Sequence, residues 1–169
     1  MNLRFILSAG IALLFHFQAQ AIETGVAAPN CALQAFGENS ALDLRQFQGK
    51  VLYVDFWASW CSSCAQSFPF MNDLDRELRD RGLHVLGINL DEKLEDAKSF
   101  LVKHPANFTV AVDTDGQCPH DFGVKAMPSV YLIDRKGVIR HVHLGFRRGE
   151  ADKLRGLAEQ LLAEGSARQ

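Results

Sequence analysis

Two thiols three positions apart, Cys61 and Cys64 in Cys61-Ser62-Ser63-Cys64, follow directly on the apolar run VLYVDFW at residues 51–57. The run has the length and the β-branched and aromatic content of a strand covered on both faces. The residues after the cysteines repeat Phe68, Met71, Leu74 and Leu78 at helical spacing as far as Gly82, which predicts an amphipathic helix with a glycine stop. Cys61 therefore falls in the first turn of a helix, where backbone N–H groups lack intrahelical partners and the dipole is positive. A thiolate is favoured at such a place, and thiols in this setting have pKa values lowered from about 8.5 towards about 7 or below. Two intervening residues keep the second sulfur within reach, so Cys61 can attack a partner disulfide and Cys64 can resolve the product. A plain stabilising disulfide and half of a zinc site are the competing readings. The latter wants a second cysteine or histidine pair, which Cys31 and Cys118 do not supply.

Asp55 lies inside the same apolar run, six positions before Cys61. A carboxyl in a desolvated place has a raised pKa and can exchange a proton near neutral pH. The alternative is a hydrogen-bonded structural aspartate. Elsewhere, Cys118 with His120, and His141 with His143 on one strand face, are candidate metal ligands, and a copper-binding chaperone using the CxxC with a histidine is the rival function. Surface histidines on an exposed hairpin are the plainer reading, and no metal site is assigned.

The elements that must position these groups form an alternating series. Residues 22–50 carry short apolar pieces broken by GENS and Gly49, read as a hairpin or short strands. LHVLGINL predicts a second buried strand, residues 93–103 a helix ending before Pro105, and FTVAV a third strand. A helical turn over 117–122, a hairpin of SVYLID and VIRHVHL around Arg135-Lys136-Gly137, and a helix over 150–163 complete the chain. The fold class is α/β, with a central mixed β-sheet flanked by helices.

The 169 residues carry a net charge of −2, with no block of like charge that would attract nucleic acid. Arg4, the apolar stretch from Phe5 to Phe17 and Ala19-Gln20-Ala21 read as a cleaved export signal over residues 1–21. An uncleaved membrane anchor facing the periplasm is the alternative. Residues 22–169 then make one domain. Export places all four cysteines in an oxidising compartment, where Cys31 and Cys118 could form a second, structural disulfide; two separately buried thiols are equally compatible with the sequence.

WASWCSSC after VLYVDF, Pro69 five residues beyond Cys64, and Met127-Pro128 ahead of a strand resemble the thioredoxins. The export signal, the N-terminal hairpin and the added NLDE to FTVAVD segment resemble the TlpA/ResA-like branch of exported thiol-disulfide oxidoreductases. The resemblance covers roughly residues 25–163. It implies a thioredoxin-like fold with an N-terminal β-hairpin extension, Asp55 beneath Cys64 as proton acceptor, and a cis Pro128. It also implies a docking surface of Trp60, Met127, Pro128, Leu144, Gly145 and Phe146, with Trp57 and Phe56 left to the core. The implied activity is protein-disulfide exchange in the periplasm, most readily in the reducing direction, on protein thiols and disulfides. No cofactor is implied; electrons would come from an upstream, membrane-bound redox protein, and the chain is expected to be a monomer. A disulfide oxidase or isomerase on the same fold is the second reading. Ser67 stands where many relatives of this branch carry an acid, and Asp55 where many carry Asn, which leaves the substrate open.

Overall fold

The computed structural model describes residues 24–38, 40–113 and 115–166. The expected export signal at 1–21 lies outside these residues, as do the ends of the expected domain at 22–169. Strands β1 (Ala32–Ala35) and β2 (Ala41–Asp43) form the N-terminal hairpin, and β3 (Val51–Trp57) leads into α1 (Ser62–Leu78). β4 (Leu83–Asn89), α2 (Leu94–Lys103), β5 (Thr109–Val112) and the short α3 (Gln117–Asp121) follow. β6 (Ser129–Ile133), β7 (Ile139–Leu144) and α4 (Ala151–Ser166) close the chain. Among the described residues, no helix is long and apolar enough to cross a membrane.

The strands make one mixed sheet in the order β2-β1-β5-β4-β3-β6-β7. β3, β4 and β5 run parallel, while β6 pairs antiparallel with β3 and β7 antiparallel with β6 on one side, and β1 pairs antiparallel with β5 and β2 antiparallel with β1 on the other. The N-terminal hairpin thus extends the sheet by pairing Gln34 and Ala35 with Val112 and Ala111 of β5. β3 lies third from the β7 edge and every one of its seven residues is buried, which explains a run with no polar alternation.

Alternate side chains of a strand point to opposite faces. Val51, Tyr53 and Trp57 enter a core formed with Phe68, Met71 and Leu74 of α1 and with Leu154, Ala158 and Leu161 of α4. Leu52, Val54 and Phe56 enter a second core with Leu33, Leu42, Phe122 and Tyr131. Trp57 packs edge-on to Phe68, with ring centroids 5.0 Å apart, and covers Gly87 on the neighbouring strand. A Cβ there would lie 2.9 Å from Phe108 and 3.1 Å from the Trp57 indole nitrogen, so only glycine fits without displacing a ring. Pro69, inside α1, offers no N–H to the carbonyl four residues back.

Cys31 and Cys118 are bonded across 87 residues, with Cα atoms 5.3 Å apart and both residues buried in the second core. The bond ties the chain just ahead of β1 to the start of α3. It also removes Cys118 as a thiolate ligand beside His120. A cross-link closing so long a loop restricts the unfolded chain strongly. Replacing both cysteines by alanine is therefore expected to cost about 2–5 kcal/mol, read as a lower Tm in the unreduced protein. A non-reduced digest should contain the 31–118 linked peptide.

Candidate active site

β3 ends at Trp57, and its continuation must turn sharply into α1. The Trp57 carbonyl accepts the Leu90 N–H at 2.9 Å, and the Cys61 N–H closes a turn onto the Ala58 carbonyl at 3.1 Å. Cys61 is the residue that caps α1: its backbone is extended and its sulfur accepts the Cys64 N–H at 3.1 Å. The side chain thus meets one of the N–H groups that the helix itself cannot satisfy. Cys61 and Cys64 are joined, with an S–S distance of 2.02 Å. Cys61 is 6% exposed and Cys64 is fully buried, so a partner can reach only the first sulfur.

Asp55 is wholly buried on the α1 side of β3, between Gly87 of β4 and Val130 of β6 in register. Neither carboxyl oxygen has a hydrogen-bond partner. Burial pushes its pKa well above the ordinary aspartate value of 3.8, and the neighbouring polar group is the Ser67 hydroxyl. That hydroxyl donates its one hydrogen to the Cys64 carbonyl at 2.9 Å, which leaves the acid without a donor of its own. Tyr53, two residues earlier on the same strand, is buried too, and its pKa is pushed well up, first by burial and then by Asp55. Asp55, Ser67 and Cys64 are all fully buried, and the serine is tied to Cys64 through the Cys64 carbonyl.

The Met127-Pro128 peptide bond is cis. The Pro128 carbonyl accepts the Gly145 N–H at 2.8 Å, continuing the β6–β7 ladder, while no recorded hydrogen bond among the described residues uses the Met127 N–H or C=O. Trp60 is 70% exposed and Leu144 54% exposed, an apolar pair open to a partner. Phe146 departs from the docking role expected of it: it is 6% exposed and stacks on Phe70 at 5.7 Å, a core contact. His141 and His143 are half-buried rather than on an open surface, and His143 lies 3.3 Å from Glu150.

Two features of the site escaped the sequence. A cleft of about 440 Å³ beside Cys61 is lined by Trp60 and Ser62, by Ser99 and Lys103 of α2, and by His104 just past its end. Asp91, just past the end of β4, holds the loop that carries Cys61. The order of parallel strands is the signal that finds both, since segments following the carboxyl ends of neighbouring parallel strands lie side by side.

The redoxin family profile matches residues 23–161. The chain belongs to the redoxin family. Within it, the chain is 30% identical over 118 residues to the thiol-disulfide oxidoreductase ResA of Bacillus cereus, covering 70% of this chain and 68% of that protein. It is 34% identical over 128 residues to the thioredoxin-like protein YneN of Bacillus subtilis, covering 73% of each. Among solved structures it superposes on a protein of Chlorobium tepidum described as thiol:disulfide interchange protein DsbE with a TM-score of 0.80. That pair is 42% identical, over 83% of this chain and 99% of the other. This redoxin is therefore a thioredoxin-fold thiol-disulfide oxidoreductase of the TlpA/ResA-like type, with Cys61-Ser62-Ser63-Cys64 as its cysteine pair.

The buried acid has a measurable consequence for stability. A carboxyl whose folded pKa is raised binds its proton more tightly in the folded state. No penalty is present below the unfolded value near 3.8, and the folded protein loses stability as pH rises through the folded value. Asp55→Asn, which cannot ionise, should melt above the wild type at pH 8, and the difference should shrink to nothing as pH falls towards 4. Tm measured across that range on the oxidised proteins checks it.

Proposed function

We propose that this redoxin is an exported, periplasmic enzyme that reduces disulfides in partner proteins. The Cys61 thiolate attacks one sulfur of the partner disulfide, forming a mixed disulfide and releasing the other partner sulfur as a thiolate. Cys64 then gives its proton to Asp55 and attacks the Cys61 sulfur, forming the Cys61–Cys64 bond and releasing the second partner thiolate. Two electrons pass to the partner, whose thiolates take up protons from solvent. In the return half-reaction a dithiol donor attacks Cys61; Asp55, protonated in the disulfide form, hands its proton to Cys64 as that sulfur leaves. An upstream redox protein, expected in the membrane, supplies that dithiol.

The observation that carries this reading is a wholly buried, unpartnered Asp55 carboxyl on the strand that leads into the cysteine pair, with Cys64 fully buried in α1. Cys64 has no direct route for a proton to water, and Asp55 is the buried base that takes it up. The same carboxyl favours the reducing direction. An acid beside the pair, with no cation in the first turn of α1, disfavours thiolates, and a pair whose reduced form is less stabilised is the stronger reductant. Export is supported by the pattern over residues 1–21 and by the buried Cys31–Cys118 bond, which an oxidising compartment preserves. Met127 backbone groups, Trp60 and Leu144 offer an edge on which an extended substrate segment can pair and pack.

Equilibration with thiol buffers should place the Cys61–Cys64 pair near the thioredoxin end of the scale, about −270 mV. A value near about −120 mV would make the protein a disulfide donor instead. For the proton step, Asp55→Ala should slow resolution of a trapped mixed disulfide at pH 7 by a factor near the lower end of the about 10²–10⁴-fold range for positioned acid–base groups. Formation of that mixed disulfide should be little changed. An unchanged resolving rate from pH 6 to 8 would leave Asp55 with a structural role only.

A further inference from the structure

The last rung between β3 and β4 is followed by a bond of a different kind. Trp57 pairs with Asn89 at the end of the parallel ladder, and the next outward N–H, that of Ser59, meets a side chain instead of a backbone carbonyl. Asp91 Oδ1 and Oδ2 lie 3.1 and 2.9 Å from the Ser59 nitrogen, and Oδ1 also accepts the Ser59 hydroxyl at 2.8 Å. The carboxylate is itself held: the buried Asn89 side chain donates to Oδ2 at 2.8 Å and accepts the Asp91 N–H at 3.2 Å. One side chain thus extends the sheet by a step beyond the place where β3 must stop.

That step lies two residues before the reactive sulfur. Ser59 and Trp60 are the central residues of the turn that the Cys61 N–H closes onto Ala58, and Cys61 then caps α1 through its sulfur. The position of that sulfur on the helix end is set by the turn. Among the described residues, the recorded side-chain hydrogen bonds that tie this turn to the rest of the sheet all end on Asp91. We propose that Asp91 is a positioning residue for Cys61: it clamps the Ala58–Cys61 turn to the end of β4, so that the Cys61 sulfur stays on the α1 cap that activates it. The inference rests on the reading of Cys61 as the attacking thiol.

Position and charge make opposite forecasts, which gives the test its power. A carboxylate acting only as a nearby negative charge would disfavour the thiolate, and its removal would speed Cys61 alkylation. A clamp acts the other way, because its loss frees the turn and weakens the N–H contact that favours the thiolate. Asp91→Glu keeps the charge but moves it by one methylene, whereas Asp91→Asn loses the charge and keeps an oxygen for the Ser59 N–H. The measurement is the iodoacetamide rate of the reduced wild type and both variants as a function of pH, resolved by site with mass spectrometry, with Tm recorded beside it.

The expected result is that Asp91→Glu alkylates Cys61 at least about three-fold more slowly at pH 6, with the titration midpoint moved upward, because rate follows thiolate fraction. Asp91→Asn should match or exceed the wild type, whatever either variant does to Tm. The reverse order, with Asp91→Asn faster and Asp91→Glu unchanged, would reduce Asp91 to a charge and overturn the proposal. Identical profiles in all three proteins, or an equal loss in both variants, would overturn it too. Alkylation of Cys64 ahead of Cys61 in the wild type would overturn the assignment of the attacking thiol and the clamp with it, whereas the other outcomes leave that assignment standing.

Discussion

A carboxyl with no hydrogen-bond partner, enclosed between three strands and a helix, is the constraint on which this molecule is organised. Burying such a group is costly in its charged form, and the cost falls to a bearable level only if the group holds its proton. Asp55 needs neighbours that exclude water, and the fold provides them: Gly87 and Val130 on the flanking strands, and Ser67 on the helix above. β3 must then lie inside the sheet, with α1 packed over it.

The same placement divides labour between two sulfurs that are chemically alike. Cys61 occupies the cap, where backbone N–H groups favour a thiolate and a partner has access, whereas Cys64 is fully buried. Ser67 refines the arrangement. Its hydroxyl is committed to the Cys64 carbonyl, so it has no second hydrogen to give to the acid on the strand. The bond before Pro128, just ahead of β6, is cis, and Trp60 and Leu144 are exposed.

Much of this was legible from residue order. VLYVDFW signalled a doubly covered strand because nothing in it alternates, and Phe68, Met71, Leu74 and Leu78 marked the buried stripe of α1 through their spacing. The CxxC at the join of strand and helix located the site, and the turn at Arg135-Lys136-Gly137 located the last hairpin. What escaped depends on contacts between distant segments. The pairing of the N-terminal hairpin with β5 joins residues more than seventy positions apart, and nothing local marks it. The Cys31–Cys118 bond needed a distance that spacing does not contain. Phe146 sits beside open residues in the sequence but turns inward because Phe70 offers it a ring to stack on. Asp91 looked like one more polar residue after a strand until the parallel pairing of β3 and β4 brought it to Ser59.

The central claim is that burial holds the Asp55 carboxyl well above the ordinary aspartate pKa in the disulfide form, and its titration can be observed directly. Selective 13C labelling of aspartate carboxyl carbons, followed by NMR from pH 3 to 10 on the oxidised protein, resolves this group from the solvent-facing aspartates. The account predicts a carboxyl resonance that keeps its protonated position well above the pH at which the solvent-facing aspartates titrate. A resonance that titrates near 3.8, the ordinary aspartate value, would show a charged carboxylate beneath the disulfide and contradict the account.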